Sequence, residues 1–143
     1  MTPPDDPFDL GRFTEAQDRV YPQVLDELRH GRKRTHWMWF VFPQLRGLGH
    51  SATAVHYGIS SRAEADAYLA HEVLGPRLRE CARLVSEIDG RTAEEIMGWP
   101  DCLKLQSSMT LFAAVTDDNA EFARVLDRLY DGHADPRTLE LLS

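Results

Sequence analysis

No apolar run in this sequence exceeds six residues, the stretch from Trp37 to Phe42. A membrane-spanning helix needs about 20, so no helical span and no membrane partner are expected. The opening "MTPPDDPFD" has neither the basic start nor the apolar stretch of a signal peptide, and a cytoplasmic protein is expected. Cysteine is scarce. Cys81 and Cys102 stand far apart with no C-x-x-C spacing, which argues against a disulfide framework and against a thiolate zinc or redox pair. They read as two free, partly buried thiols. An excess of positive charge is missing too. The net charge is -7, whereas a protein that tracks phosphates is usually basic, so no DNA partner is expected. His36, His50, His56 and His71 lack ligand spacing, and no histidine follows four residues after His71 in "HEVLG". No metal and no cofactor are expected. Internal repeats and low-complexity segments are also absent.

What remains is the composition of a folded domain, 43% apolar and 27% charged. A chain of 143 residues suits one domain that buries about two-thirds of its unfolded surface. Residues 1–11 read as an arm, with Pro3, Pro4, Pro7 and Gly11 as breakers and Phe8 and Leu10 as docking residues. Residues 12–143 read as a single helical domain. Phe13, Ala16, Gln17, Val20, Val24, Leu25 and Leu28 recur at helical spacing, with Pro22 making this either one kinked helix or two short ones. Arg29, His30 and Gly31 close it. Thr35 is a candidate N-cap for the aromatic segment, which reads as a buried helix ended by Pro43. Residues 44–60 read as loop, with a short strand near Ala52 to Ile59.

The remainder is helical by its caps and spacing. Ser61 to Glu64 and Thr92 to Glu95 are capping-box patterns, and Pro76 suits a first turn. Asp101 opens "DCLKLQSSMTLFAAV", Asn119 caps a further helix, and Asp135-Pro136 starts the last. The expected fold is all-α, a single-domain irregular orthogonal bundle of about seven helices with at most one very short strand pair.

The chemistry concentrates in "RKRTHWMWFVFPQ". Of 13 aromatic residues, four fall between positions 37 and 42. Most of such a run belongs to a core, but Trp37 and Trp39 lie on different helix faces, so one indole can pack while Trp39 lines a cavity and stacks on a planar ring. Lys33 and Arg34 precede a helix N-terminus, where cations sit poorly unless they help bind an anion. His36, set between cations and tryptophans, is the imidazole most suited to face a ligand, and Gln44 follows as a hydrogen-bonding group. Farther on, Lys104 and Ser108 share a helix face, with Ser107 and Thr110 beside them. These hydroxyls either bond back to the preceding turn or point into a polar pocket; a Ser–Lys nucleophile pair is formally allowed. "RGLGHSA" has the letters of a dinucleotide fingerprint without its strand–turn–helix context, so it reads as a glycine loop whose amides can approach a phosphate.

The stretch "GRKRTHWMWFVFPQLRGLGHSATAVHYGISSRAEADAYLAHEVLGPRL" with "DCLKLQSSMTLF" resembles the domain-of-unknown-function 1810 family over nearly the whole chain, Phe8 to Leu142. Tyr57 in "HYGISS" departs from the more usual "FYAISS". The resemblance implies a mainly α-helical fold and carries no function over to this chain. Some members are labelled calpastatin, whose inhibitory segments are disordered repeats unlike this compact chain. A fainter similarity, in "HY" before a helix, the tryptophans and the basic residues, is to the NADAR superfamily and implies ADP-ribose or riboside N-glycosidic chemistry.

Together these features lead to an expected pocket for a small anionic, nucleotide-like ligand of ADP-ribose type, with Lys33, Arg34, His36, Trp39, Gln44, Lys104, Ser107 and Ser108 as its binding residues. If the chain is an enzyme, it hydrolyses an N-glycosidic bond, and Asp101 or Glu64 is the carboxylate on hand. The alternative is a non-enzymatic helical module that recruits a protein partner.

Overall fold

The computed structural model describes residues 6–143, so Pro3 and Pro4 of the expected arm lie outside the described residues. Among the described residues ten helices run in the order α1 (Gly11–Asp18), α2 (Tyr21–Arg29), α3 (Met38–Val41), α4 (Ala52–Tyr57), α5 (Arg62–Ala70), α6 (Leu74–Ser86), α7 (Ala93–Met97), α8 (Asp101–Val115), α9 (Ala120–Tyr130) and α10 (Pro136–Leu142). The all-α class holds; the count exceeds seven because the chain breaks into short pieces. Pro22 sits at the start of α2 rather than inside one long helix, so the first run is two helices. The aromatic segment is a single turn.

The centre is α8, with buried residues on nearly every side, from Cys102 and Leu105 to Leu111 and Phe112. A helix apolar all round must be covered all round. α5, α7, α9 and α10 pack on it, and α6 closes against α9. The apolar stripe of α9, Phe122, Val125 and Leu126, follows the spacing that faces one side of a helix inward. Tyr68 of α5 packs edge-on against Phe13 and tilted against Phe112, joining the N-terminal helices to the centre.

Several expected details are corrected by the coordinates. The segment Ala52 to Ile59 is not a strand. Ser51 accepts the amide of Ala54 and opens α4, because a capped alanine-rich turn satisfies its own amides. What remains of the strand pair is one parallel bridge, Leu45 to Ile59, in which Ile59 N–H donates to Gln44 O and Arg46 N–H to Ile59 O, each at 2.9 Å. Thr35 does not cap α3; its hydroxyl donates to Glu27. Asn119 does not cap α9 by its side chain, which instead donates to Ala113 O. Thr92–Glu95 is a full capping box, whereas Glu64 turns to Ser60 and to Arg12. His71 caps α6 through Nδ1, which accepts the amides of Val73 and Leu74.

Arg12 fixes the entry of the chain. Its guanidinium donates to the carbonyls of Phe8, Asp9, His56 and Gly58 and pairs with buried Glu64 at 2.7 Å. Leu10 is buried, and Asp6 accepts the amides of Leu10 and Gly11 at the start of α1.

Candidate functional site

The loop that brings in the expected ligand residues is organised by a residue the sequence reading left out. Glu27 lies on the apolar face of α2, between Val24 and Leu28, and is 2% exposed. Its Oε1 accepts the amides of Arg34 (2.6 Å) and Thr35 (3.0 Å) and the indole Nε1–H of Trp37 (3.0 Å). Its Oε2 accepts the Thr35 hydroxyl at 2.6 Å and Gln23 at 3.0 Å. Burial alone would raise the Glu27 carboxyl, but these donors to its ionised form outweigh it and hold it at about 2. The free amides that suggested an anion site therefore do bind an anion, and that anion is the protein's own Glu27 carboxylate, while the cationic side chains beside them do not touch it. A charged residue on an otherwise apolar helix face was the available signal.

On the other side of this loop, Lys33 is anchored by its backbone amide to Ile96 O at 2.7 Å. Its ammonium donates to Thr35 O, lies 5.2 Å from the centre of the Trp37 ring, and reaches Asp101 at 2.9 Å. Asp101 opens α8. Its other oxygen is 3.4 Å from the ammonium of Lys104, one turn on. Lys104 in turn stands 5.0 Å from the centre of the Trp39 ring, a cation–π distance. The Lys33, Asp101 and Lys104 side chains are 7%, 19% and 24% exposed. Two ammonium groups thus share one carboxylate between two indoles. One face of Trp39 is covered by Lys104, so on that face the indole positions a cation rather than stacking on a ligand ring.

Trp39, Gln44 and Lys104 converge with Met38, Phe42 and Tyr57 on a hollow of about 10 Å³, room for one water molecule. Gln44 and Lys104 also border a wider groove of about 330 Å³, with Leu48, Pro100 and Leu103 as apolar wall and Ser107, Asp135 and Arg137 beyond. The bridge at Leu45 fixes the backbone that carries Gln44. Gly49 comes close to it: a Cβ there would stand 2.7 Å from that of Ala54 and 3.3 Å from Gln44 Nε2.

The remaining expected residues separate. Ser107 borders the groove; its hydroxyl bonds back to Leu103 O and donates to Asp135 Oδ2 at 2.9 Å. Ser108 is fully buried, and its hydroxyl has no partner among the described residues. Arg34 and His36 are exposed and border neither the hollow nor the groove. Their departure follows from Glu27, which pulls the backbone of this loop inward and leaves those side chains outside. Glu64 is held by Arg12 and Ser60, away from both cavities. Among the described residues, no group of three or more histidine, cysteine, aspartate or glutamate side chains is placed to hold a metal, and no helix is long and apolar enough to cross a membrane.

A family model described as a protein of unknown function, DUF1810, matches residues 7–142. The crystal structure of the conserved hypothetical protein Rv1873 from Mycobacterium tuberculosis is similar to this chain, with 63% identity and a TM-score of 0.95, covering 96% of this chain and 98% of that one. No functionally curated protein matches. Neither finding carries the NADAR resemblance.

Proposed function

The chain belongs to the DUF1810 family, and we propose that it binds a small anionic, nucleotide-like ligand of ADP-ribose type in the groove bordered by Gln44 and Lys104, the lysine that Trp39 supports from behind. One observation carries this reading: Lys33 and Lys104 share the single carboxylate of Asp101. Within that trio one positive charge is left unmatched, at the rim of an apolar-walled groove that Asp135 and Arg137 also border. In a chain of net charge -7, a cation that further acidic side chains could have neutralised is instead held open by an indole. The groove's 330 Å³ falls within the range of small-molecule sites. Its wall of Leu48, Pro100 and Leu103 offers a planar ring the apolar surface that Lys104 denies it on Trp39. The Gln44 amide makes no hydrogen bond to a described residue and is free to orient the ligand.

The enzymatic form of this reading is hydrolysis of an N-glycosidic bond. That reaction needs a carboxylate to meet the positive charge developing on the sugar; Asp101 lines neither the hollow nor the groove but stands 3.4 Å from the Lys104 ammonium that does. Glu64 is not available for it.

The test is thermal denaturation with AMP, ADP, ADP-ribose and NAD at millimolar concentration. Ligand at 100 times its Kd adds about 2.7 kcal/mol, several degrees in Tm. Lys104→Ala should remove the shift while leaving the unliganded Tm within a few degrees. Release of free base from NAD, absent in Asp101→Asn, would establish the hydrolytic form; no release by the wild type would remove it. The interaction-module reading has one observation in its favour, the indole of Trp99, 68% exposed and four residues before exposed Leu103 in the chain. It predicts no Tm shift with any of these compounds, and partner binding in a pull-down lost in Trp99→Ala but kept in Lys104→Ala.

A further inference from the structure

We propose that the groove takes a diphosphate rather than a monophosphate, with Arg137 as the residue that reads the second phosphate. This rests on the cleft reading above and adds to it a residue outside the expected ligand set. Arg137 borders the same groove as Lys104 but comes from α10, at the far end of the chain. Its side chain is exposed and forms no ion pair or hydrogen bond with a described residue. The nearest acidic neighbour in sequence, Asp135, is committed. Its Oδ2 accepts the Ser107 hydroxyl at 2.9 Å and the Thr138 amide and hydroxyl at 3.3 and 2.5 Å, and its own amide donates to Thr110 Oγ1 at 2.8 Å. The α8 hydroxyls thus seat the N-cap of α10 and so fix where Arg137 stands.

The groove then has a cation from each of two separate elements. Lys104 shares Asp101 with Lys33, and Arg137 pairs with no carboxylate of the described residues. In this reading a single phosphate engages Lys104 alone. A diphosphate places an anionic group on each, and the planar guanidinium suits a phosphate's paired oxygens. Asp135 borders the groove, as Arg137 does, and its Oδ1 accepts no hydrogen bond from a described residue. That oxygen repels phosphate but accepts a hydroxyl, so the group beyond the second phosphate is hydroxylated, as a sugar is. The ligand class is a diphosphate joined to a sugar, with its apolar ring against Leu48, Pro100 and Leu103.

The experiment compares AMP, ADP and ADP-ribose on the full chain by calorimetry, in wild type, Arg137→Ala, Arg137→Lys and Lys104→Ala. Wild type should bind ADP and ADP-ribose about tenfold or more tighter than AMP, the worth of one charge-assisted contact. Arg137→Ala should remove that advantage and leave AMP affinity unchanged, and Arg137→Lys should restore part of it. Arg137 is exposed, so its unliganded Tm should not move; a fall in Tm with equal loss for all three ligands would show a structural role and overturn the proposal. Equal affinity of wild type for AMP and ADP, with AMP binding abolished in Lys104→Ala, would overturn this inference while leaving the cleft reading standing. Binding of none of the three would overturn both.

Discussion

Two tryptophans separated by one residue, each beneath a lysine, do opposite things. Trp37 is 1% exposed, its N–H is taken by Glu27, and its lysine is closed off behind Asp101. Trp39 is half-buried, its N–H meets no described residue, and its lysine stands at the rim of a groove. The same pair of side chains is complete on one side of Asp101 and incomplete on the other. Folding has no need of an incomplete pair, so the difference separates what holds this protein together from what it keeps available.

The largest expected break in that comparison is Trp37→Ala. It empties a packed site and leaves Glu27 short of a donor, at a cost of about 4 kcal/mol in urea denaturation. Trp39→Ala should cost about 1 kcal/mol. Equal losses would mean that the two indoles are both structural. Next comes Glu27→Gln, at about 3 kcal/mol, because a carboxamide cannot accept all five donors as a carboxylate does.

The acid limb of stability sharpens the same point. The Glu27 carboxyl stands at about 2 in the folded chain against 4.5 ordinarily, so the unfolded chain takes up the proton first as pH falls. The stabilisation is complete above about pH 4.5 and is lost as the pH drops toward 2. Denaturation midpoints of Glu27→Gln across that range should fall less steeply than those of the wild type; parallel curves would remove Glu27 from this role. The smallest effect belongs to the open side. Gly49→Ala brings a Cβ against Ala54 and toward the Gln44 amide, costing about 1 kcal/mol and weakening ADP binding more than stability. Unchanged ADP affinity would show that Gln44 does not contact the ligand.

The helices of the second half of the chain were legible because their signals are local. Thr92 with Glu95, Asp135 with Pro136, and the Phe122–Val125–Leu126 stripe each lie within a few residues, and caps and periodicity act at that range. The different burial of Trp37 and Trp39 was legible in outline, since an apolar run with two indoles cannot bury both on one face. The roles of Arg34 and His36 were not. They depend on Glu27, a residue seven positions before Arg34 that accepts the backbone amides of Arg34 and Thr35, and an amide's need for an acceptor leaves no mark in the letters. Arg137 and Asp135 were missed for a similar reason: their place beside Lys104 is set by Ser107 and Thr110 on α8, a contact across more than twenty residues.

The Arg12 guanidinium is a tether with consequences at a distance. It clasps the chain before α1, the end of α4 and the start of α5 at once, and the Gly58 carbonyl it holds belongs to a residue that also lines the hollow beside Trp39. A cut or fusion joint placed between Asp6 and Arg12 would therefore slacken the far wall of that hollow, about forty-five residues along the chain, while leaving the sequence of every cleft residue untouched.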